Sequence, residues 1–287
     1  MDNDGPSRTA LITAYARAYH QIADRPLIFT DPLAARLLGV TAAELTELGT
    51  PTTDYLDLVV SDRSRRLFFA SRARFAEDAV AAAIAAGVRQ VVILGAGLDT
   101  FAYRNPHPDL RVFEVDHPAT QAWKRERLVA AGIDRPETLT FVPVDFETQT
   151  LAAGLESSGF TRTDPAVFVW LGVVFYLTPN AAHATLEYIA GQAEPVEVVF
   201  DYLQPADSDE DRAHQQARAD RLADAGEPVF SYFTPDDIAA QLRALGFTDL
   251  EDHSAPDLIT GYLDGSARFG GEPPRALRAN RILRASR

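Results

Sequence analysis

Apolar residues are arranged in two ways along this chain. In its middle they form short continuous runs rich in β-branched side chains: Val88–Leu94, Leu110–Val115, Leu139–Val144, Ala166–Trp170 and Val196–Tyr202. Such runs, bounded by turn residues, predict strands buried on both faces. Helical spacing fills the gaps. Ser71–Ala86 predicts a helix stopped by Gly87, Pro118–Ala131 one stopped by Gly132, and Asn180–Ala190 one begun by the cap Thr178-Pro179. Strands alternating with helices predict parallel βαβ units. Towards the C-terminus, Thr234-Pro235-Asp236-Asp237 starts a helix that Gly246 ends, and Phe247–Asp252 reads as a strand. Asn280–Arg284 alternates apolar and polar residues, as a terminal antiparallel strand would.

The first seventy or so residues lack strand signals. Thr9–Ala23 carries Leu11, Ile12, Tyr15 and Tyr19 at helical spacing. Asp31-Pro32 reads as a helix start and Gly39 as its stop, and Thr41 to Glu44 forms a capping box. This region has too little apolar pattern for a large core of its own. We expect a helical N-terminal cap over residues 1–70, packed on a domain spanning 71–287. That domain carries a polar helical insertion at about 204–233. Within it, Gln204–Gly226 holds Arg212, Arg218, Arg221 and several acids, and reads as a solvated helix, with a mobile lid as the alternative.

The first strand runs into Gly95-Ala96-Gly97-Leu98-Asp99-Thr100. Without a Cβ, Gly95 and Gly97 permit a tight turn and let a ligand lie on the backbone. Such a loop sits where doubly wound sheets bind ligands, outside the carboxyl ends of the strands. A dinucleotide fingerprint would place a third glycine at Thr100, and no phosphate-cradling loop ending in Lys-Ser/Thr is present. Asp99 would repel a pyrophosphate but accept hydrogen bonds from an ammonium or a hydroxyl. The turn therefore points to a nucleoside with a cationic amino-acid tail, such as S-adenosylmethionine; an ordinary strand–turn–helix is the alternative.

Composition narrows the picture further. At 287 residues, 46% hydrophobic and 24% charged, the chain has the balance of a soluble globular protein with ample core. It has no cysteine, hence no disulfide, thiolate metal site or cysteine nucleophile. The acidic start Met1-Asp2-Asn3-Asp4-Gly5 is unlike a secretory signal, and the apolar run Ala166–Leu177 is too short to span a bilayer, so we expect a cytoplasmic protein with no membrane partner. A net charge of −14 argues against a nucleic-acid partner. Oligomeric state is left open.

The segments Val92-Ile93-Leu94-Gly95-Ala96-Gly97-Leu98-Asp99-Thr100-Phe101-Ala102-Tyr103-Arg104, Phe113-Glu114-Val115-Asp116-His117-Pro118 and Val169-Trp170-Leu171-Gly172-Val173-Val174-Phe175-Tyr176-Leu177-Thr178-Pro179 together resemble the leucine carboxyl methyltransferase family. Arg72-Ala73-Arg74-Phe75 and Asp31-Pro32-Leu33-Ala34-Ala35 extend the likeness over most of the chain. The resemblance implies an α/β fold of the class I methyltransferase (Rossmann-like) type. That is a doubly wound, mostly parallel seven-stranded sheet, here with the helical N-terminal cap. It implies S-adenosyl-L-methionine as cofactor, no metal, and methyl transfer to an oxygen, a carboxylate of a small molecule or peptide terminus in particular. By the same resemblance Arg72, or Arg74 if the register slips, pairs with the methionine carboxylate. Gly95, Ala96 and Gly97 lie on the methionine, with Asp99 beside them. Asp116 takes the ribose hydroxyls, with His117 adjacent. Asp145 accepts from the adenine amino group, with Phe146 near the ring, and Leu171 and Gly172 form the floor. The phosphatase-directed members carry an acid where Leu171 stands, which weakens the case for their particular substrate.

A carboxylate is ionised at pH 7 and needs no general base, whereas a phenol or alcohol does. None of His20, His107, His117, His183, His214 and His253 lies in a catalytic motif, and no catalytic residue is assigned. Tyr15, Tyr19, Tyr176 and Tyr202, with Phe175, are candidate walls of the acceptor site; core packing is their alternative role. Phenolic oxygen, nitrogen or carbon acceptors remain open, as does a non-methylating binding protein, cyclase or isomerase on the same fold.

Overall fold

A computed structural model of the chain describes residues 6–48, 55–145, 148–263 and 272–287. Among the described residues five helices precede the sheet: α1 (Arg8–Ala23), α2 (Ala34–Leu38), α3 (Ala42–Leu48), α4 (Tyr55–Ser61) and α5 (Arg63–Ala85). Strand and helix then alternate: β1 (Gln90–Leu94), α6 (Phe101–Arg104), β2 (Arg111–Asp116), α7 (Pro118–Ala130), β3 (Leu139–Pro143), α8 (Leu151–Ser157) and β4 (Ala166–Trp170). A 3₁₀ turn at Val174–Tyr176, α9 (Pro179–Ala190), β5 (Val196–Leu203), α10 (Asp209–Asp224) and α11 (Pro235–Ala244) follow. The chain closes with β6 (Asp249–Ser254), α12 (Ala255–Tyr262), α13 (Arg275–Arg278) and β7 (Asn280–Ser286).

The seven strands form one sheet in the order β3-β2-β1-β4-β5-β7-β6. The first five are parallel, and β7 is inserted antiparallel between β5 and β6. Strand order reverses between β1 and β4, which opens a crevice beyond their carboxyl ends. Successive residues of β1 face opposite sides. Val91 and Ile93 pack with Phe75, Ala79 and Val80 of α5, while Val92 and Leu94 pack with α8, α9 and α11 through Leu155, Leu186 and Ile238. Both faces are covered, so the runs are apolar throughout.

The helices before the sheet have a smaller cluster, made by Ala10, Ala14 and Ala18 of α1 with Leu37, Leu38 and Leu45. It seats on Leu98, just after the glycine turn, and on Leu128 of α7. Small residues let α1 approach the sheet end closely. The predicted local signals form as expected here. Asp31 accepts from the N–H groups of Leu33 and Ala34, Gly39 stops α2 in the left-handed region, and Thr41 and Glu44 cap each other reciprocally.

One boundary differs usefully. The helix expected from Ser71 begins eight residues earlier, at Arg63, where Asp62 caps the N–H groups of Ser64 and Arg65. Its first turns are arginine-rich and so look solvent-facing. Arg66 is nevertheless buried, ion-paired with Asp24 at 3.1 Å. Among the described residues no helix is long and apolar enough to cross a membrane.

Candidate active site

The crevice holds a cavity of about 870 Å³, within the range of pockets that enclose a cofactor-sized ligand. The backbone at strand tips forms its base. After β1 the chain turns through Gly95 (φ +64°) and Gly97 (φ +46°). A Cβ on Gly95 would stand 2.3 Å from Val173 Cγ2, and one on Gly97 3.0 Å from the Ala10 Cβ. The turn is tied to the next strand: Ala96 N–H donates to the Val115 carbonyl, and Gly97 N–H donates to the Asp116 carboxylate. Asp116 also accepts from His117 N–H at 2.7 Å. Burial raises its pKa above the ordinary carboxylate value, and these two N–H donors oppose the rise. Asp99 accepts from Phe101 N–H at 2.7 Å and lines the same cavity.

The opposite wall comes from α5, which Asp201 of β5 holds from behind. Arg72 is buried, its guanidinium 4.8 Å from the Phe69 ring centroid and ion-paired with Asp201. The other oxygen of Asp201 accepts from Gly172 N–H at 2.5 Å. Gly172 has φ +75°, and a Cβ there would meet the Arg72 guanidinium at 3.3 Å. One carboxylate thus fixes both the arginine and the turn after β4. Asp201 was not singled out in the sequence, although a charged residue inside the apolar run of β5 is a readable signal.

Of the expected residues, Arg72, Gly95, Ala96, Gly97, Asp99, Asp116, His117, Leu171, Gly172 and Tyr176 line the large cavity. Arg74 does not; it is half exposed and paired with Asp78. Asp145 does not line it either. The loop after β3 folds on itself, with Asp145 N–H donating to Gln149 and Thr148 Oγ1 donating to the Asp145 carboxylate. Phe146 lies outside the described residues. The N-cap of α7 is His117, whose Nδ1 accepts from Ala119 N–H.

Three of the tyrosines stand elsewhere. Tyr202 follows Asp201 on a strand, so it faces the other side of the sheet; it is buried there, its hydroxyl donating to Asp252 at 2.6 Å. Tyr15 and Tyr19 pack against the alanine cluster of α1, and Tyr19 lies under the Arg66 guanidinium. The face of α1 that does meet the cavity is Thr9, Ala10, Thr13 and Arg17. These residues recur at helical spacing but are too small or polar to register in an apolar pattern. Arg17 links Asp31 to the Leu98 carbonyl and so holds α1 over the turn.

At the mouth, Thr9 Oγ1 donates to Glu227 at 2.6 Å and lies 2.7 Å from the Tyr176 hydroxyl. The start of α1, the 3₁₀ turn and the segment after α10 are clasped together. Among the described residues no group of three or more His, Asp or Glu side chains gathers in a metal-binding arrangement. His20 is structural: it is buried, paired with Asp24, and accepts from Ile28 N–H.

The family model described as leucine carboxyl methyltransferase matches residues 10–190. YktD of Bacillus subtilis, provisionally named an S-adenosyl-L-methionine-dependent methyltransferase, is 33% identical over 282 residues, covering 90% of this chain and 91% of that one. A Mycolicibacterium gilvum protein with the same provisional description is 35% identical over 226 residues, covering 76% and 72%. Among solved structures, a protein of Thermobifida fusca provisionally titled a methyltransferase superposes with a TM-score of 0.57 at 16% identity, covering 100% of this chain and 96% of that one. That likeness concerns the fold alone.

Proposed function

The chain belongs to the leucine carboxyl methyltransferase family and is an S-adenosylmethionine-dependent methyltransferase; from that premise we propose that the large cavity is the donor site and that the methylated atom is a carboxylate oxygen of a small molecule or peptide terminus. One observation carries the placement. The glycine turn, Asp116 and Arg72 come from separate stretches of sequence and line a single cavity. The cradle suits the donor, since positive φ at Gly95 and Gly97 leaves backbone where side chains would otherwise stand.

When bound, S-adenosylmethionine supplies a methyl group on a positively charged sulfur. In this reading Arg72, whose guanidinium has donors beyond those engaged by Asp201, holds the methionine carboxylate. The backbone of Gly95–Gly97 lies along the methionine chain, and Asp99 accepts from its ammonium. Asp116, beside His117, accepts from the ribose hydroxyls. Thr150, Leu151 and Ala152 flank the adenine end of the cavity, and Leu171 and Gly172 form the floor. The cap of α1 to α4 excludes water and aligns the reacting atoms, which in-line displacement requires. A carboxylate nucleophile is already ionised at neutral pH, so no base is needed.

The hydrogen-bonded chain Tyr176–Thr9–Glu227 favours a second reading. An acceptor carrying a proton, such as a phenol, would pass it to the Tyr176 oxygen while Tyr176 donates to Thr9 and Thr9 to Glu227. The chemistry of the product separates the two. Protein incubated with methyl-labelled donor and candidate acceptors should yield label released as methanol by mild base, as a methyl ester does. Label that survives base and a rate that rises through neutral pH would favour the proton-bearing acceptor.

A further inference from the structure

Glu114 and Asp116 alternate with Val115 on β2, so their side chains leave the same face of the sheet. Glu114 is buried there and ion-paired at 2.6 Å with Lys124 of α7, which is equally buried. The Lys124 ammonium also lies 5.4 Å from the ring centroid of Tyr103, on α6 just after the glycine turn. The cluster is poorly satisfied: among the described residues, Glu114 Oε1 and the Tyr103 hydroxyl are buried with no hydrogen-bond partner. A buried ion pair is a weak source of stability, because desolvation offsets the attraction, and apolar side chains of similar volume often replace it at no cost. Packing alone does not account for this pair; its place beside Asp116 does.

Three acids act on one another at this end of the crevice: Asp99 from the turn, and Glu114 and Asp116 from β2. Burial pushes Glu114 up, Lys124 opposes the rise, and Asp99 and Asp116 add to it. Asp116 is also pushed up by burial. The N–H groups of Gly97 and His117 oppose that rise, and after them the cations that act on it are Lys124 and then His117. Arg17, which reaches the turn from α1, is paired with Asp31. Burial, Glu114 and Asp99 raise the Tyr103 hydroxyl, with Arg135 and Arg125 opposing. Lys124 cannot serve both β2 acids in full. Glu114, the more deeply buried, takes up a proton before Asp116 does as pH falls, and the charge of Lys124 is then left to Asp116.

We propose that Lys124 is a positioning residue for donor binding: it holds Asp116 as the charged carboxylate that accepts from the ribose hydroxyls, and Glu114 anchors it in place. This inference rests on the large cavity being the donor site. A charged carboxylate accepts shorter and stronger hydrogen bonds than a neutral carboxyl. Donor affinity therefore depends on the ionisation of Asp116 and, through it, on a lysine that never touches the donor.

The test titrates S-adenosylhomocysteine calorimetrically into the full chain from about pH 8 to about pH 5. Wild type, Glu114→Gln, Lys124→Met and the double variant Glu114→Gln/Lys124→Met are compared, with thermal unfolding confirming that each is folded. The double variant keeps the shape of the pair without its charges, so it folds where Lys124→Met alone, with an unpartnered acid in the core, does not. Without Lys124, the fall in affinity on acidification should begin about one pH unit higher than in wild type. Lys124→Met and the double variant should share that shift, since Glu114 without its partner takes up a proton. Glu114→Gln keeps the cation and should follow wild type. Adding Asp116→Asn to the double variant should abolish the dependence on pH. Profiles without Lys124 that coincide with wild type would leave the pair merely structural and overturn the assignment. So would the same shift in Glu114→Gln, or one that survives Asp116→Asn. If wild type itself fails to bind the thioether, the donor-site reading has failed and takes this one with it. The first titration tells the two failures apart.

Discussion

The donor cavity and a smaller chamber of about 150 Å³ that meets it at Tyr176 are built from different materials. The donor cavity is mostly backbone and short side chains at the tips of neighbouring parallel strands, with residues 93–99, 116–117 and 169–173 forming its base. Its smaller neighbour is made of long side chains projecting from α1, α5, α10 and α13, which are far apart in sequence. The first is fixed once the sheet forms, since strand register places Ile93 beside Val169 and Val92 beside Phe113. The second depends on how helices dock and on which rotamers their arginines adopt. A fold can keep the first and vary the second.

Asp201 should be the most costly residue to lose, because it serves both cavities. Asp201→Ala leaves Arg72 buried without its partner and Gly172 N–H without an acceptor. A loss of about 3–5 kcal/mol in denaturant unfolding is expected, with weakened donor binding. Asp201→Asn, which keeps an acceptor for Gly172, should lose clearly less. Equal stability of Asp201→Ala and wild type would mean that the pair does not hold the site together.

A substitution in the turn should divide the cavities. Gly95→Val places a side chain where φ is +64° and where even a Cβ meets Val173 at 2.3 Å. Donor affinity should fall about 100-fold, roughly 3 kcal/mol, in a calorimetric titration. Arg218→Gln, on the other wall, should leave it unchanged. At the clasp, Glu227→Gln replaces a charged acceptor of the Thr9 N–H and hydroxyl by a neutral one, at a cost of about 1 kcal/mol. The amides of the first turn of α1 should then exchange faster with solvent while those of β1 do not. Similar exchange at both places would show that the clasp is not local.

Glu197 provides a control away from both cavities. It lies on β5 with one oxygen buried and unpartnered, and its pKa is pushed up to about 7 by burial, with Arg284 opposing the rise. Its proton is bound more tightly in the folded than in the unfolded chain. The stability it contributes is therefore complete below the ordinary carboxylate value and is lost as pH rises to about 7. Glu197→Gln should stabilise the protein by on the order of 1 kcal/mol at pH 8, little at pH 4, and leave donor binding unaltered. A stabilisation that does not depend on pH would contradict this.

The same contrast explains what could be read from the sequence. A buried strand ending in Gly95-Ala96-Gly97 has few structural solutions, so the alternating strands and the turn were legible from spacing and type, whereas Asp116 was marked out by the family resemblance. The parity of β5 was not. Asp201 and Tyr202 are adjacent, and only the strand's alternation decides which side chain enters the site. The start of α5 was hidden because Arg66 looks solvent-facing until Asp24 arrives from a distant turn. The polar helix expected in the 204–226 segment is largely exposed, yet its stripe Asp211, His214, Gln215, Arg218 and Leu222 faces the smaller chamber. Nothing in a run of charges reveals which face will be covered, and the same holds for Thr9 and Thr13 of α1.

The central claim is that the strand-tip cradle holds the adenosyl donor through Asp116. The direct measurement is a calorimetric titration of S-adenosylhomocysteine into wild type, Asp116→Asn and Asp116→Ala, with thermal unfolding confirming that each is folded. Wild type should bind one molecule per chain, Asp116→Asn should bind about tenfold more weakly, and Asp116→Ala about 100-fold. Folded variants that bind as tightly as wild type would contradict the account.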